Sequence, residues 1–251
     1  RGFRTDLAME SVGEESGRLE GVSMSAHQIG GVKRTRIVIQ SRRAAEVLQR
    51  PVGEYITLEC PELSRCGQPE RPMLIRLIAQ AVRALLPKEG EVLVVGLGNR
   101  NVTADALGTR VVERTLVTRH LGESLAREMR GRLRGVSAIA PGVLGLTGIE
   151  TAELCRGLIQ RVRPAAVVAI DALAAFDSGR ICSTIQITNT GIEPGSGVGN
   201  HRCPLSRDTL GVPVYAIGVP TVVDAATLTL DVLEEAGKSD VDPAALRGHE
   251  T

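Results

Sequence analysis

The chain has 251 residues, of which 43% are apolar and 24% are charged, and its formal net charge is +1. Such a length and composition are typical of a globular protein with a full hydrophobic core. The near-neutral charge gives no electrostatic reason to bind nucleic acid or a membrane, and 2% aromatic residues offer no base-stacking platform. With no apolar run of membrane-spanning length and no recognisable signal peptide, we expect a cytoplasmic protein.

The five cysteines are scattered and form no C-x-x-C pair. Zinc sites need closely spaced pairs of ligands, and Cys60 and Cys66 have the wrong spacing. Only four histidines occur, and there is no H-E-x-x-H motif. We therefore expect reduced thiols, no metal and no cofactor.

The N-terminal third predicts a small layer that contains β-structure. Residues 1–18 are charged and weakly periodic, which is typical of an extension rather than of a core. Alternating segments rich in β-branched residues predict strands at 33–40 and 55–60. Helices are predicted at 41–49 and 72–86, the second beginning at a proline, which the first turn of a helix tolerates.

From residue 91 onward, short apolar runs alternate with segments of helical spacing. Strands buried on both faces and alternating with helices predict an α/β fold, with a mainly parallel sheet and helices on both faces. We expect one domain, in which an N-terminal portion (7–90) precedes a catalytic core (91–236) and a polar tail (237–251). The predicted strands of the core are 92–95, 137–140, 165–170 and 214–219, with a half-exposed edge strand at 181–188, and its predicted helices are 105–121, 148–162 and 222–236.

Three loops follow predicted strands, and ligands of open α/β sheets bind at such carboxyl ends. The loops are 96–105, the segment that begins at Asp171, and the Gly-rich segment 190–200. The first lacks the third glycine of a dinucleotide fingerprint, because Asn101 stands there, and no P-loop G-K-[ST] follows either Gly-rich segment. The Gly-rich segment also lacks a serine nucleophile elbow, because Pro194 replaces its first glycine.

Two carboxylates remain as candidates for chemistry. Asp105 opens a predicted helix, so an ordinary helix cap is the alternative interpretation. Asp171 follows an apolar strand, where an unpaired charge would be costly. If both strands are central, the two carboxyls share one crevice, and one of them stays protonated near neutral pH. Such a pair supplies an acid and a base for attack of water on a peptide bond.

Several long strings resemble one known family. GLGNRNVTADALG at 96–108 and AIDALAA at 169–175 look like its two main signatures. TIQITNTGIEPGSGVGN at 184–200 and AIGVPTVVDA at 216–225 match later segments, and 4–8 and 55–59 match the N-terminal portion. Over essentially its whole length, the chain resembles the germination proteases (spore proteases), an unusual aspartic-type endopeptidase family.

The resemblance implies a fold similar to that of hydrogenase maturation endopeptidases, a homotetramer in the forespore or spore core, and catalytic roles for Asp105 and Asp171. The implied substrates are small acid-soluble spore proteins, cut after an acidic residue and before a hydrophobic residue followed by Ala. Family members are zymogens that remove a prosegment by self-cleavage. Asp6-Leu7-Ala8 fits the cleavage rule, so the implied cut lies between Asp6 and Leu7 and makes residues 1–6 a prosegment remnant.

Loop position suggests which backbone groups could hold the substrate or its developing oxyanion: Gly98, Asn99, Asn101, Gly197 and Asn200. The sequence departs from the family at Phe176-Asp177, where a basic and a small polar residue are usual, so substrate preference could differ. The family also has a further C-terminal portion. Two alternatives remain, a metal-recognising maturation endopeptidase with His201 as a ligand, and a protein that binds spore proteins without cutting them.

Overall fold

The computed structural model describes residues 5–12, 19–64, 70–121, 133–198, 202–223 and 228–229. Eight strands form one sheet. The strands are β1 (Val22–Ile29), β2 (Val32–Ile39), β3 (Gly53–Glu59), β4 (Val92–Gly96), β5 (Val136–Ile139), β6 (Ala166–Ala175), β7 (Thr184–Thr188) and β8 (Val214–Val223). The helices of this part of the chain are α1 (Ala8–Ser11), α2 (Arg42–Leu48), α3 (Arg71–Leu85), α4 (Leu107–Arg114), α5 (Leu144–Thr147), α6 (Thr151–Val162) and α7 (Arg207–Leu210).

The sheet is mixed, with the order β1-β2-β3-β7-β8-β6-β4-β5. Strands β8, β6, β4 and β5 pair in parallel, whereas β1, β2, β3 and β7 are added antiparallel. The α/β class is therefore confirmed. The N-terminal strands do not form a layer of their own, because β3 pairs with β7 and so extends the same sheet.

Helices cover both faces of the sheet. On one face, α3 packs Leu74 and Leu77 against β3 and β7, and α4 lies against β4 and β6. On the other face, α2 packs against β2 and β3, and α6 packs against β4 and β6. This second face carries the inward side chain of Asp171 and is called the site face below.

Strand β7 differs from the edge strand expected at 181–188. All five of its residues are buried, and it lies between β3 and β8. Its polar and apolar residues alternate because the two faces of the strand have different neighbours, and not because one face is exposed to solvent. Ile185 and Ile187 pack in the core that contains α3. The side chain of Gln186 lies on the site face, where it bonds to the N-terminal segment.

The helix expected at 105–121 is shorter. A 3₁₀ turn at Thr103–Asp105 precedes α4, and α4 ends at Arg114. The chain then runs extended toward β5, where the Thr118 amide donates to the Val136 carbonyl at 3.0 Å. The β-branched residues of this stretch favour extended backbone. Strand β8 continues through Val223, so it includes the start of the helix expected at 222–236, most of which lies outside the described residues.

Two N-terminal features were not expected. Strand β1 forms a hairpin with β2 through Gly30 and Gly31, which both have positive φ as a tight primed turn requires. Residues 5–12 are not a solvated extension, because the Leu7 and Ala8 side chains are 0% exposed. No helix of the described ranges is both long and apolar enough to cross a membrane. Cys155, Cys182 and Cys203 are free thiols.

We expect Gly108→Ala to lower the free energy of unfolding by about 3 kcal/mol, because overpacking against backbone cannot relax by side-chain movement. A Cβ at position 108 would overlap the Ile170 carbonyl oxygen and lie 2.5 Å from that of Leu97. Urea unfolding measures the loss. Gly157→Ala in α6, with open space around its Cβ, is the control and should be neutral or stabilising. Equal stability of the two variants would contradict the close approach of α4 to the sheet.

Candidate active site

Asp171 lies within β6 rather than after it, because β6 continues to Ala175. Strand β4 stops earlier, with its last residue Gly96 opposite Ile170. The Leu97 amide then donates to the Ile170 carbonyl at 2.8 Å, and the chain turns away from the sheet. The loop after β4 therefore begins directly beside Asp171.

The Asp171 carboxyl is almost sealed from solvent, with the residue 6% exposed. Its Oδ1 accepts the amide hydrogen of Ala172 at 2.9 Å. Burial raises the pKa of Asp171 to about 8, and the negative charges of Asp105 and, more weakly, Asp6 act in the same direction. Asp171 therefore holds a proton at neutral pH, as expected of a buried carboxyl that has no cationic partner among the described residues.

Asp105 is half-buried at the end of the 3₁₀ turn Thr103–Asp105. Its Oδ2 accepts the Asn99 amide hydrogen at 2.7 Å. Burial raises the pKa of Asp105, and the bond from Asn99 opposes this shift. The helix-cap interpretation is wrong for α4, whose N-cap is Ala106 with no side-chain cap bond. The negative charge of Asp105 instead contributes to the raised pKa of Asp171.

Gly98 makes room for this arrangement. Its φ is +95°, and a Cβ there would overlap the Asp105 carbonyl oxygen and lie 2.7 Å from Oδ1. From the other side, the Thr221 hydroxyl donates to the Ala104 carbonyl at 2.6 Å. The turn that carries Asp105 is thus fixed by the loop after β4 and by β8.

Asp171 belongs to a row of facing residues across three strands. Asp171 of β6 pairs with Gly218 of β8, and Gly218 pairs with Gln186 of β7. Paired residues point to the same face of a sheet. Because Gly218 has no side chain, the side chain of Leu173 takes the space between them, where a Cβ at position 218 would lie 2.5 Å from the Leu173 Cγ.

The N-terminal segment Thr5–Ala8 lies against this row. The Gln186 Nε2 donates to the Asp6 carbonyl at 3.0 Å, and its Oε1 accepts the Ala8 amide hydrogen at 2.7 Å. The Asp6 amide donates to the Ala174 carbonyl at 2.9 Å. The side chain of Leu7 packs against Leu173 and Ala175. The Asp6–Leu7 bond therefore has hydrogen bonds on both sides, at Asp6 and at Ala8.

The Asp6 carboxylate has its own contacts. Its Oδ1 accepts from the Ser196 hydroxyl at 2.7 Å, and its Oδ2 accepts from the Ala174 amide at 2.8 Å. The Arg50 guanidinium donates to the Thr5 carbonyl. Burial lowers the pKa of Arg50, and the negative charge of Asp6 is the largest effect that opposes this shift. A cavity of about 900 Å³ adjoins these groups, with Asp6, Arg50 and Ser196 in its wall. Neither Asp105 nor Asp171 lines the cavity. Of the row that contains Asp171, only Gly218 and Gln186 are in its wall.

The residues expected to donate to the oxyanion differ in how the structure places them. The Asn99 amide is already used by Asp105, and the Asn101 amide donates to the Asn99 Oδ1 at 3.0 Å. Gly197 lies against the Asp6 carboxylate. Asn200, like the metal candidate His201, lies outside the described residues. Within the described ranges, no three His, Cys, Asp or Glu residues are grouped so as to hold a metal ion.

The Phe176-Asp177 departure has a contact of its own. The amides of Phe176 and Asp177 donate to the two carboxylate oxygens of Glu10, at 2.8 and 3.0 Å. Arg180 also pairs with Glu10, at 3.1 Å. The loop after β6 therefore anchors α1, which directly follows the Thr5–Ala8 segment.

The family model that describes the germination proteases matches residues 4–238 of this chain. The chain belongs to the germination protease family. It is 49% identical over 236 residues to the germination protease of Caldanaerobacter subterraneus subsp. tengcongensis, covering 93% of this chain and 73% of that relative. The germination proteases of Clostridium tetani and Bacillus cereus are 43% and 45% identical over 237 and 243 residues, which cover 92% of this chain and 73% and 66% of theirs. As a member of this family, the chain is a peptidase, hence a hydrolase.

Sequence reasoning did not find Arg50, which bonds to the Thr5 carbonyl, nor three residues far along the chain that bond to the N-terminal segment of this germination protease. Gln186 carried no distinguishing signal, because a polar residue in the alternating segment 181–188 also fits the exposed face of an edge strand. Ser196 was considered only as a nucleophile, and Ala174 acts through its backbone. Their proximity to Asp6 arises from contacts 168 to 190 residues apart in sequence, which periodicity does not reveal.

Proposed function

We propose that this chain is an endopeptidase that degrades small acid-soluble spore proteins during germination, cutting after Glu or Asp and before a hydrophobic residue followed by Ala. Membership of the germination protease family supports this function. The observation that carries the mechanism is the pair of carboxyls, in which Asp171 is buried with its pKa raised to about 8 and Asp105 is half-buried and bonded to a backbone amide. The residues given catalytic roles are Asp105 and Asp171.

In the proposed reaction, Asp105 is the base and Asp171 the acid. Asp105 removes a proton from water as the water oxygen forms a bond to the scissile carbonyl carbon. Asp171 donates a hydrogen bond to the oxygen that gains negative charge, which lowers the energy of the tetrahedral intermediate. The C–N bond then breaks, a proton passes from the carboxyl pair to the leaving nitrogen, and the products are a carboxylic acid and an amine. The net reaction consumes one water.

The role of the Asp6–Leu7 bond is the second part of the proposal. We infer that the chain is made as a zymogen, that residues 1–6 are what remains of its prosegment, and that it removes them by cutting this bond. The segment supports the idea because it has an acid, a Leu and an Ala in the required order, and because Gln186, in the row that contains Asp171, bonds to it on both sides of the Asp6–Leu7 bond. While it is bound, it fills the place that a substrate peptide would take.

The test is cleavage of a purified small acid-soluble spore protein, followed by mass spectrometry, with the chain expressed from Leu7. We expect cuts after Glu or Asp, before a hydrophobic residue followed by Ala. Binding of the spore protein without any cut would instead support the non-enzymatic alternative. Cleavage that requires nickel and stops with a chelator would support the metal-recognising alternative.

We also propose a homotetramer located in the forespore or spore core, without direct contact to nucleic acid or membrane. Strand β1 supports self-association, because it is an edge strand whose backbone can pair with another strand and whose Met24 side chain is exposed. Light scattering on the purified chain measures the state, and a monomer at micromolar concentration would contradict the proposal.

A further inference from the structure

The Asp6 side chain lies in a small site built for a carboxylate. Ser196 donates to one oxygen and the Ala174 amide to the other, at 2.7 and 2.8 Å. Hydrogen bonds to a charged group are the stronger kind, and two donors aimed at separate oxygens favour a planar acid. An apolar side chain placed here would leave both donors without this acceptor.

Gly197 completes the site because it has no side chain. A Cβ at this position would overlap the Asp6 Oδ2 and lie 2.6 Å from the Ala174 Cβ. The wall of the site is therefore bare backbone, which lets a carboxylate reach the Ala174 amide on β6. Ser196 and Gly197 both lie in the short 3₁₀ turn Ser196–Val198.

Arg50 supplies the charge. Its guanidinium is half-buried, bonds to the Ser11 hydroxyl at 3.1 Å and to the Thr5 carbonyl, and feels the negative charge of Asp6 more than that of Glu10 or Glu193. A neutral amide side chain could still bond to Ser196 and to the Ala174 amide, since a serine hydroxyl also accepts. We therefore assign the preference for an acid over its amide to the charge of Arg50, which lines the same cavity wall as Asp6 and Ser196.

We propose that Ser196, Gly197, the Ala174 amide and Arg50 form the subsite that selects an acidic side chain directly before the scissile bond. In this chain Asp6 occupies the subsite. In the mature enzyme the Glu or Asp of a substrate peptide takes its place. This inference rests on the proposed function, and it adds which residues recognise the acid and how their roles differ. Ser196 recognises the shape of the carboxylate, and Arg50 recognises its charge.

This difference in roles predicts different effects for two variants. Ser196→Ala should lower kcat/KM for a peptide with Glu before Leu-Ala by about 10- to 100-fold, the range expected when a bond to a charged acceptor is lost. Arg50→Gln should lower the ratio of kcat/KM between the Glu peptide and its Gln counterpart by about 10-fold. Any effect of losing the bond to the backbone carbonyl of the preceding residue is common to both peptides and cancels in that ratio.

The experiment uses the chain expressed from Leu7 with paired Glu and Gln peptides, and the full chain for self-cleavage after Asp6. In the full chain, Asp6→Asn and Ser196→Ala should both slow the cut by at least about 10-fold. Ser196→Thr keeps the hydroxyl and should restore most of the rate. Ser25→Ala on β1 and Arg43→Gln on α2 are exposed controls that should match the parent.

An unchanged preference for Glu over Gln in an active Arg50→Gln variant, together with a parental rate for Ser196→Ala, would overturn the assignment while leaving the proposed function intact. If the parent cuts nothing, the proposed function fails first. In that case fluorescence anisotropy of labelled Glu and Gln peptides reads the subsite without chemistry. Tighter binding of the Glu peptide that is lost in Arg50→Gln would support the subsite, and equal binding would overturn it.

Discussion

Asp171→Asn should reduce kcat/KM for peptide cleavage by about 10² to 10⁴-fold, the range typical for loss of a general acid or base. The amide keeps the size of the carboxyl and can still donate a hydrogen bond, but it cannot pass a proton to the leaving nitrogen. Asp105→Asn should cause a loss of the same order, because an amide cannot remove a proton from water. Mass spectrometry of a spore protein digest and initial rates on a peptide measure both losses.

Two comparisons make this result interpretable. Glu46→Gln on α2 changes an exposed carboxylate and should cleave at the parental rate. The double variant Asp105→Asn/Asp171→Asn should lose little more activity than either single variant, since the two carboxyls act as one unit. A single variant that keeps the parental rate would remove that residue from the mechanism.

The second large effect is on stability as a function of pH. Between about pH 4 and pH 8 the unfolded chain ionises Asp171, while the folded chain keeps its proton because burial raises the pKa to about 8. The folded state then binds more protons, so the free energy of unfolding falls as pH rises, by about 1.4 kcal/mol per pH unit from this group. Below this window both states are protonated, and above it both are ionised, so the contribution is constant in each region.

Urea unfolding of the parent and of Asp171→Asn at pH 5, 6, 7 and 8 isolates this contribution as the difference between the two curves. Mass spectrometry should first establish that the chains are uncut. We expect Asp171→Asn to gain stability over the parent progressively as pH rises, with Glu46→Gln following the parent. Curves of Asp171→Asn and parent that run parallel would mean that Asp171 is already ionised in the folded chain.

Much of the fold could be predicted from sequence because its elements carry local signals. The apolar runs that became β4 and β8, and the amphipathic spacing of α3 and α6, depend on neighbours within one or two turns. The pairing of β3 with β7 carries no such local signal. It joins Tyr55 to Thr188, more than half the chain apart, and nothing in either segment specifies the other.

The candidate site could also be predicted only where its residues carry a local signal. Asp171 could be singled out because a carboxyl in an apolar run must be protonated or paired, whatever the tertiary structure. Asp105 was ambiguous, because its position also fitted a helix cap, and only the 3₁₀ turn before α4 resolves this. The sequence predicts Leu7 and Ala8 within a charged extension, since their burial depends on Leu173, Ala175 and Gln186, which lie far along the chain.

The contacts of the N-terminal segment also set an order of events during synthesis. Asp6 and Ala8 leave the ribosome first, whereas Ala174, Gln186 and Ser196 follow 168 to 190 residues later. At 5 to 20 residues per second, the segment waits on the order of 10 to 40 s before its partners exist. Contacts so distant in sequence also form slowly once both sides are present. These contacts of the segment therefore cannot form until β6, β7 and the turn Ser196–Val198 have all been synthesised.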